Sequence, residues 1–455
     1  MKLSRRQFLT QSVLAGMATT GFGSTFTTMN QLLAAHPLAK VSTDYKALVC
    51  VFLFGGNDGF NMVVPNDTQG YTTYQNSRQN LAIDQNDLIP FSPLSGGEFG
   101  FHPSMTELHQ LFESGALAVQ ANVGTLVQPV TREMIHSKTA ILPPQLFSHN
   151  DQQSLWESGH SSDFSSQGWG GLLADRLYHM NHAQVPMNIS INGNNLFQVG
   201  SNVTPYAMNS GGPEEMFGVR SHIEWEERRA AVFQQIRDTS SLHVMEASHK
   251  DLTRSTQDIA QILYTELSAA PVLNTVFPEG NGLADQLAMV ARMISISESL
   301  GFERQIFFVG MGGFDTHDRQ NNDQPGLLGA VSQAMAAFYQ ATQELDVADQ
   351  VTSFTLSDFG RTLTSNGDGT DHGWGSHHLV LGGAVNGGDI YGVMPELAIG
   401  GPDDVDDGRM IPTTSVDQYS ATLSRWFGLP EQQLADVFPN IGNFSTSNLG
   451  FMHLT

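Results

Sequence analysis

Three aspartates carry side chains that can ligate a metal, and each lies a few residues after a short apolar run. They are Asp58, Asp315 and Asp358. Carboxylates that are brought together repel one another strongly unless a cation neutralises them. If the three apolar runs are neighbouring strands of one sheet, these aspartates predict a shared site for a divalent cation.

The histidines support the same prediction. Four of the 16 histidines, His317, His372, His377 and His378, fall within the 62 residues from 317 to 378. Asp371 and His372 lie in a loop punctuated by glycines, directly before the last apolar run. Because successive side chains of an extended segment point to opposite faces, at most one of the adjacent pair reaches the site. His377 is our candidate.

Aspartate and histidine together form an oxygen and nitrogen ligand set. Such a set suits zinc, manganese or iron and, where carboxylates dominate, magnesium or calcium. The single cysteine, Cys50, excludes a cysteine-based zinc site, an iron–sulfur cluster and an intrachain disulfide. One or two divalent ions would polarise a substrate oxygen and activate the attacking or leaving oxygen. Taken singly, the motifs also have structural interpretations, an ordinary turn at Asp58 and a capped helix start at Asp315.

The elements that must position these residues are visible as apolar patterns. Four apolar runs are continuous rather than alternating, as in buried parallel strands, and a fifth is weaker. The runs are residues 47–54, 305–310, 351–356 and 378–381, with residues 117–121 as the weaker candidate. Helical periodicity over residues 283–300 and 327–345 lies between them. The pattern predicts an α/β fold with a doubly wound, mainly parallel sheet sandwiched by helices, whose carboxyl edge binds ligands.

The middle of the chain, about residues 131–278, is rich in loops of serine, glycine and asparagine. We predict that it is an insertion or cap within a single α/β domain over residues 40–455. The chain has 45 acidic against 21 basic residues, a formal charge of −24. This charge argues against binding to nucleic acid or to an anionic membrane surface.

The first 39 residues have the pattern of an export signal. A charged start with Arg5 and Arg6 precedes a mildly apolar stretch, and small residues follow at 33–35. The arginine pair resembles the twin-arginine type, which makes the twin-arginine export machinery a partner and the periplasm or the exterior the destination. The alternative interpretation is a basic amphipathic helix. No later stretch has the length of about 18–20 apolar residues that a membrane span requires.

Taken together, the motifs resemble a family of exported bacterial proteins, DUF1501, to which no general activity is assigned. The resemblance rests on the arginine pair and on residues 54–61 (FGGNDGFN), 148–153 (SHNDQQ), 312–317 (GGFDTH), 357–362 (SDFGRT) and 370–375 (TDHGWG). These motifs span nearly the whole mature chain.

This family in turn is similar to a distant branch of the alkaline phosphatase/sulfatase superfamily. The resemblance implies an alkaline-phosphatase-like fold with metal ligands at Asp58, Asp315, His317, Asp358 and His372. The chain departs from the superfamily pattern in two ways. One residue rather than three separates the late aspartate and histidine, and Phe359 stands in place of the second histidine of the superfamily. The number of ions, one or two, therefore stays open.

The resemblance also implies a nucleophile at the start of a helix. Ser148 is the candidate, with a helix N-cap as the structural alternative. His149 and Asn61 are alternative sources of ligands or oxyanion contacts. Arg361 either clamps an anionic phosphate or sulfate or forms a structural salt bridge. No Cys-x-Pro-x-Arg signature of a formylglycine sulfatase is present.

The resemblance thus implies an exported, metal-dependent hydrolase that acts on a phosphate or sulfate ester, with an anionic small molecule or glycan ester as substrate. The alternative is a degenerate, non-catalytic member that serves as an envelope or extracellular binding module. Two features favour this alternative: Phe359 in place of a histidine, and the weak match of Ser148 to the nucleophile of the superfamily. A redox enzyme has little support, because the chain has neither a Gly-x-Gly-x-x-Gly motif after a strand nor cysteine ligands for a cluster.

Overall fold

The computed structural model of the chain describes residues 44–220, 223–239 and 243–453. The predicted export signal, residues 1–39, lies outside the described residues. Among the described helices, none combines the length and the apolar character needed to cross a lipid bilayer.

Fourteen strands are present in the described part of the chain. They are β1 (Lys46–Leu53), β2 (Val63–Pro65), β3 (Ile89–Phe91), β4 (Phe99–Phe101), β5 (Leu117–Gly124), β6 (Asn188–Ser190), β7 (Tyr206–Ala207), β8 (Arg304–Met311), β9 (Val351–Ser357), β10 (Arg361–Ser365), β11 (Thr370–His372), β12 (Ser376–Leu381), β13 (Ile390–Tyr391) and β14 (Thr414–Ser415).

The α-helices lie between and after these strands. They are α1 (Gly59–Met62), α2 (Thr68–Arg78), α3 (Thr106–Glu113), α4 (Arg132–His136), α5 (His149–Ser158), α6 (Trp169–Leu177), α7 (Glu227–Arg237), α8 (Val244–Ala269), α9 (Gly282–Ser295), α10 (Ser297–Leu300), α11 (Gln320–Glu344), α12 (Val416–Phe427) and α13 (Leu434–Val437). Short 3-10 turns occupy Gln79–Leu81, Tyr178–Met180, Ala348–Gln350, Glu431–Gln433 and Ile441–Asn443.

A nine-stranded sheet forms the centre of the fold. Its strand order is β13-β5-β12-β9-β1-β8-β6-β7, and β14 pairs with β5 beside this path. Strand β1 is parallel to both β8 and β9, whereas β12 is antiparallel to both of its neighbours. Two small antiparallel sheets, β10-β11 and β2-β4-β3, lie outside it. The predicted α/β class with a doubly wound, mainly parallel sheet is confirmed.

The core explains why the apolar runs are continuous. Val49 and Val51 of β1 face a cluster that includes residues of α9 and α11, whereas Cys50 and Phe52 face a cluster with residues of α6 and α12. Because helices cover both faces of the sheet, both sets of side chains on a strand must be apolar. The five predicted strands correspond to β1, β5, β8, β9 and β12.

The middle of the chain is more closely joined to the sheet than its composition indicates. Within the predicted insertion, residues 131–278, the short strands β6 and β7 extend the central sheet, and β6 pairs in parallel with β8. Helix α6 packs on the same sheet through Trp169 and Leu173. Strands of three and two residues are too short to leave a periodic pattern in the sequence. The proposed division of the chain into signal, domain and insertion stays a prediction.

Candidate metal centre

Three imidazoles and a guanidinium surround one carboxylate oxygen beyond the carboxyl ends of β8 and β9. Asp315 Oδ1 lies 2.8 Å from Arg361 Nη1 and 3.1 Å from His317 Nε2. The Nε2 atoms of His372 and His149 lie 3.4 Å and 3.5 Å from the same oxygen. Nitrogen atoms from three parts of the chain, at position 149, at position 317 and in the hairpin 361–372, therefore meet at a single carboxylate oxygen.

The topology produces this convergence. Asp315 follows β8, Arg361 begins β10 just after β9, and His372 ends β11. His149 is the first residue of α5. Gly55 follows β1 with a φ of 115°, and a Cβ at this position would clash with the backbone of Asp315. A glycine is therefore required for the loop after β1 to approach the loop after β8 so closely.

The three imidazoles share one orientation, in which Nδ1 faces an oxygen and Nε2 faces the cluster. A backbone carbonyl only accepts, so Nδ1 of His372 carries its proton and Nε2 of His372 offers a lone pair. The Nε2 atoms of His317 and His372 lie 2.9 Å apart, so a proton or a cation must lie between them. The Nδ1 partners are Asp358 Oδ2 for His149 at 2.6 Å, Asp371 Oδ1 for His317 at 3.2 Å and Phe147 O for His372 at 2.7 Å. Histidines that ligate metals are held in this way by a second layer of hydrogen-bond acceptors.

The spacing of these donors fits a divalent ion. One ligand atom each from His149, Asp315 and His372 lie within 4.8 Å of one another. Ligand atoms at bonding distance from a tetrahedral zinc ion stand roughly 3.3–3.6 Å apart. The separations of 3.4 Å and 3.5 Å between the carboxylate oxygen and the two Nε2 atoms match this range. Imidazole and carboxylate ligands without thiolates suit zinc, manganese or iron.

Electrostatics keep the donors in forms that can bind a cation. Burial opposes the charge on Asp315, but the hydrogen bond and charge of Arg361, with His317 and His149, outweigh it and lower the pKa of the carboxyl. The pKa of His372 is lowered, mainly by burial, so its imidazole is held neutral. Arg361 already donates to this carboxylate, so it is the imidazole lone pairs around it that a further cation would satisfy.

Asp358 and Asp371 lie behind the imidazoles. Burial raises the pKa of Asp358, against the hydrogen bond from His149, and its Oδ1 is buried without a hydrogen-bond partner among the described residues. The pKa of Asp371 is lowered first by the hydrogen bond from Asn366 and then by His317. The contacts show both predicted ligands orienting a histidine, as partners of its Nδ1.

Arg361 forms a buried salt bridge with Asp315. Its side chain is fully buried, and Nη1 donates to Asp315 Oδ1 and to Gly55 O. Nε and Nη2 donate to the hydroxyl and the carbonyl of Thr370. All three guanidinium nitrogens donate within the protein, so the guanidinium fixes Asp315, and the binding of a substrate anion by Arg361 stays a prediction.

Asp58 is separated from the cluster by its own cation. Its carboxylate forms a salt bridge with Arg78, and Gln320 Nε2 donates to the same oxygen. The other oxygen accepts from the backbone N–H groups of Phe60 and Asn61 and caps α1. A buried guanidinium supplies the neutralising charge for Asp58, and its role as a metal ligand stays a prediction.

His377 also lies away from the cluster. Its Nδ1 accepts from Asn122 N at 3.1 Å, and its ring meets Phe60 edge-to-face at 5.1 Å. Burial lowers the pKa of His377 to about 3. His378 points to the opposite face and packs 4.8 Å from the Trp156 ring. Both histidines are buried in the core, and the role of His377 as a ligand stays a prediction.

Ser148 and Phe359 border the cluster. Ser148 Oγ donates to Asp151 Oδ2 at 2.6 Å and makes no cap hydrogen bond to the backbone of α5. The ring of Phe359 lies 4.7 Å from the His149 ring and 4.5 Å from the His372 ring. An apolar ring cannot ligate a metal. Phe359, at the position of the second histidine of the superfamily, therefore contributes packing to the cluster instead of a ligand.

Comparisons with known proteins place the chain in a family without adding an activity. A family model described as "Protein of unknown function (DUF1501)" matches residues 45–438. No curated protein matches the sequence.

Several solved structures have a limited similarity to the chain. The PsFucS1 sulfatase from Pseudoalteromonas sp. is 10% identical with a TM-score of 0.34, over 90% of this chain and 73% of that one. The soluble domain of lipooligosaccharide phosphoethanolamine transferase A from Neisseria meningitidis is 9% identical with a TM-score of 0.31, over 86% and 90%. The lipoteichoic acid synthase LtaP from Listeria monocytogenes is 6% identical with a TM-score of 0.30, over 80% and 72%.

Proposed function

The chain belongs to the DUF1501 family, and from this premise we propose that it is a metal-dependent hydrolase of a phosphate or sulfate ester. The observation that carries the proposal is the shared orientation of His149, His317 and His372, each with Nε2 directed at Asp315 Oδ1. The motif resemblance to ester-cleaving enzymes of the alkaline phosphatase/sulfatase superfamily gives the reaction class.

His149, His372 and Asp315 would hold one divalent ion, with His317 as a further ligand beside them. When bound, the ion would polarise the ester and stabilise the negative charge that develops on its oxygens. Arg361 holds the carboxylate of Asp315 in place, and Asp358 holds the tautomer of His149. These contacts keep the donors oriented before a substrate arrives.

Ser148 is the proposed nucleophile. It precedes His149 directly, and its Oγ donates to Asp151 Oδ2 at 2.6 Å. In that position the carboxylate of Asp151 would take the proton as the hydroxyl oxygen attacks phosphorus or sulfur, and the bond to the ester alcohol would break as the alcohol leaves with a proton from water. A water molecule would then hydrolyse the seryl phosphate or sulfate and restore the serine hydroxyl. Substitution Ser148→Ala would then abolish turnover and leave metal binding intact.

We also propose that the chain is exported by the twin-arginine machinery and acts in the periplasm or outside the cell on an anionic small molecule or glycan ester. The sequence pattern of residues 1–39 supports the route.

A second candidate is a binding module that keeps the ion but does not turn over substrate. The salt bridge between Asp58 and Arg78 and the packing of Phe359 on two cluster histidines favour it. Each of them takes away a ligand that a second ion would need.

The two candidates are separated by hydrolysis of chromogenic phosphate and sulfate monoesters and diesters, with zinc, manganese, iron, magnesium and calcium added in turn. We expect turnover with at least one metal and its loss in the double variant His149→Ala/His372→Ala. The exposed His179→Ala serves as the control. Bound metal without turnover on any ester would establish the binding module instead.

A further inference from the structure

A small cleft lies along the helix that carries His149. It has a volume of about 320 Å³ and is lined on one side by α5 and on the other by the loop after β6. Gln153 stands four residues after His149, so the two side chains lie one helical turn apart on the same face of α5. The cleft therefore begins one turn away from the candidate metal centre.

Side-chain amides dominate the lining of this cleft. Asn150 and Gln153 come from α5, and Asn194 and Asn195 come from the opposite loop. The side-chain amides of Asn150 and Asn194 are exposed and form no hydrogen bond within the described part of the chain. Each of these two amides offers both a donor and an acceptor, which is what a hydroxyl group requires, whereas the Asn195 amide is engaged with Ser190 and Gln198.

The walls of the cleft are held in place by a buried carboxylate. Glu157 accepts from Leu196 N at 2.6 Å and from Phe197 N at 3.0 Å, which ties the loop to the helix. Its other oxygen accepts from Gln153 Nε2 at 2.8 Å, which fixes the side-chain amide of Gln153. Glu157 is thereby engaged within the protein and organises the cleft.

The lining also indicates what does not bind there. Among the described residues that line the cleft, none is aromatic and none is basic. A stacked base or a second anionic group would therefore find no matching partner. A neutral group with several hydroxyls matches the open amides of Asn150 and Asn194, because each amide can exchange two hydrogen bonds with a hydroxyl.

We propose that this amide cleft binds the hydroxyl-bearing portion of the ester, a sugar or polyol, while its phosphate or sulfate lies at the histidine cluster. The inference rests on the proposed function for the ester itself, but the binding of the neutral sugar does not depend on turnover. Because the cleft lies along α5, the sugar would lie beside His149, next to the ester group that it carries.

The test uses neutral methyl glycosides of glucose, galactose, mannose and fucose, and inositol, as probes. Their dissociation constants are measured by saturation-transfer NMR with the whole metal-loaded protein. We expect at least one probe to bind, and the double variant Asn150→Ala/Asn194→Ala to bind it about tenfold more weakly, because two hydrogen-bonding groups are removed. Asn76→Ala, an exposed asparagine on α2, is the matched control and should leave the constant unchanged.

The inference is overturned if no probe binds the unmodified protein, or if the double variant binds it as tightly as the control does. Both variants alter exposed side chains, and thermal unfolding verifies that they remain folded. Hydrolysis of chromogenic esters is measured on the same samples. Glycoside binding that the double variant weakens, in a protein without hydrolysis, would sustain the amide cleft and refute the proposed function.

Discussion

The buried pair of Arg78 and Asp58 gives a sharp quantitative prediction. The two side chains are 0% and 1% exposed, so Arg78→Met would leave a carboxylate buried without its cation. Removing one partner of a buried pair costs about 3–5 kcal/mol. Gln320 and two backbone N–H groups continue to donate to Asp58, which places the expected cost near the lower limit of that range.

The assay is equilibrium unfolding in urea at pH 7.5, from which the free energy of unfolding is extrapolated to water. The double variant Arg78→Met/Asp58→Asn removes both charges and should recover most of the loss. Arg176→Met provides the control, because Arg176 and Asp436 form an exposed pair whose removal should cost less than about 1 kcal/mol.

Two results would contradict the assignment of Arg78 as the neutralising partner of Asp58. One is an Arg78→Met variant as stable as the unmodified protein, since the carboxylate would then not depend on the guanidinium. The other is a fall in bound metal in Asp58→Asn, which would return Asp58 to the set of ligands.

Three further predictions concern buried and supporting groups. Asp358→Ala removes the acceptor for His149 Nδ1 and should weaken the binding of zinc about 10–100-fold in a chelator competition, and an unchanged affinity would deny its orienting role. Burial lowers the pKa of His377 to about 3, so between about pH 3 and 6.5 this histidine is protonated in the unfolded state and neutral in the folded state. The unmodified protein should therefore lose about 1.4 kcal/mol per pH unit relative to His377→Gln as the pH falls below about 6.5, and parallel pH profiles would contradict this. Burial raises the pKa of Asp417 to about 7, so its proton stabilises the fold at low pH and is lost as the pH rises. The free energy of unfolding of Asp417→Asn, relative to that of the unmodified protein, should therefore rise by about 1.4 kcal/mol per pH unit between about pH 4 and 7 and stay level above pH 7. Urea unfolding across this range measures the difference, and a difference that does not change with pH would contradict the prediction.

The parts of the fold that could be predicted from the sequence are those with strong local patterns. Strands β1, β8 and β9 are buried on both faces, so their apolar runs stand out. The loops after them could be assigned to one edge because parallel strands end together. Helix α11 begins at Gln320, seven residues before the predicted start, because Pro325 near its beginning obscures the pattern.

The residues that escaped prediction depend on long-range contacts. Arg78 lies in a polar helix and reaches Asp58 only after folding, and no spacing in the sequence indicates that pairing. His377 could not be distinguished from a ligand, because a buried core histidine and a metal-binding histidine have the same residue type. His149 was assigned to the site by resemblance, and its contact with Asp315 across 166 positions has no local signal.

The central claim is that the imidazoles of His149 and His372 and the carboxylate of Asp315 bind a divalent ion. The most direct measurement is elemental analysis of the folded protein after removal of bound metal and dialysis against each candidate ion in turn. We expect about one ion per chain, retained in His179→Ala and lost in His149→Ala/His372→Ala with the fold intact. A folded, unmodified protein that takes up no divalent ion would contradict it.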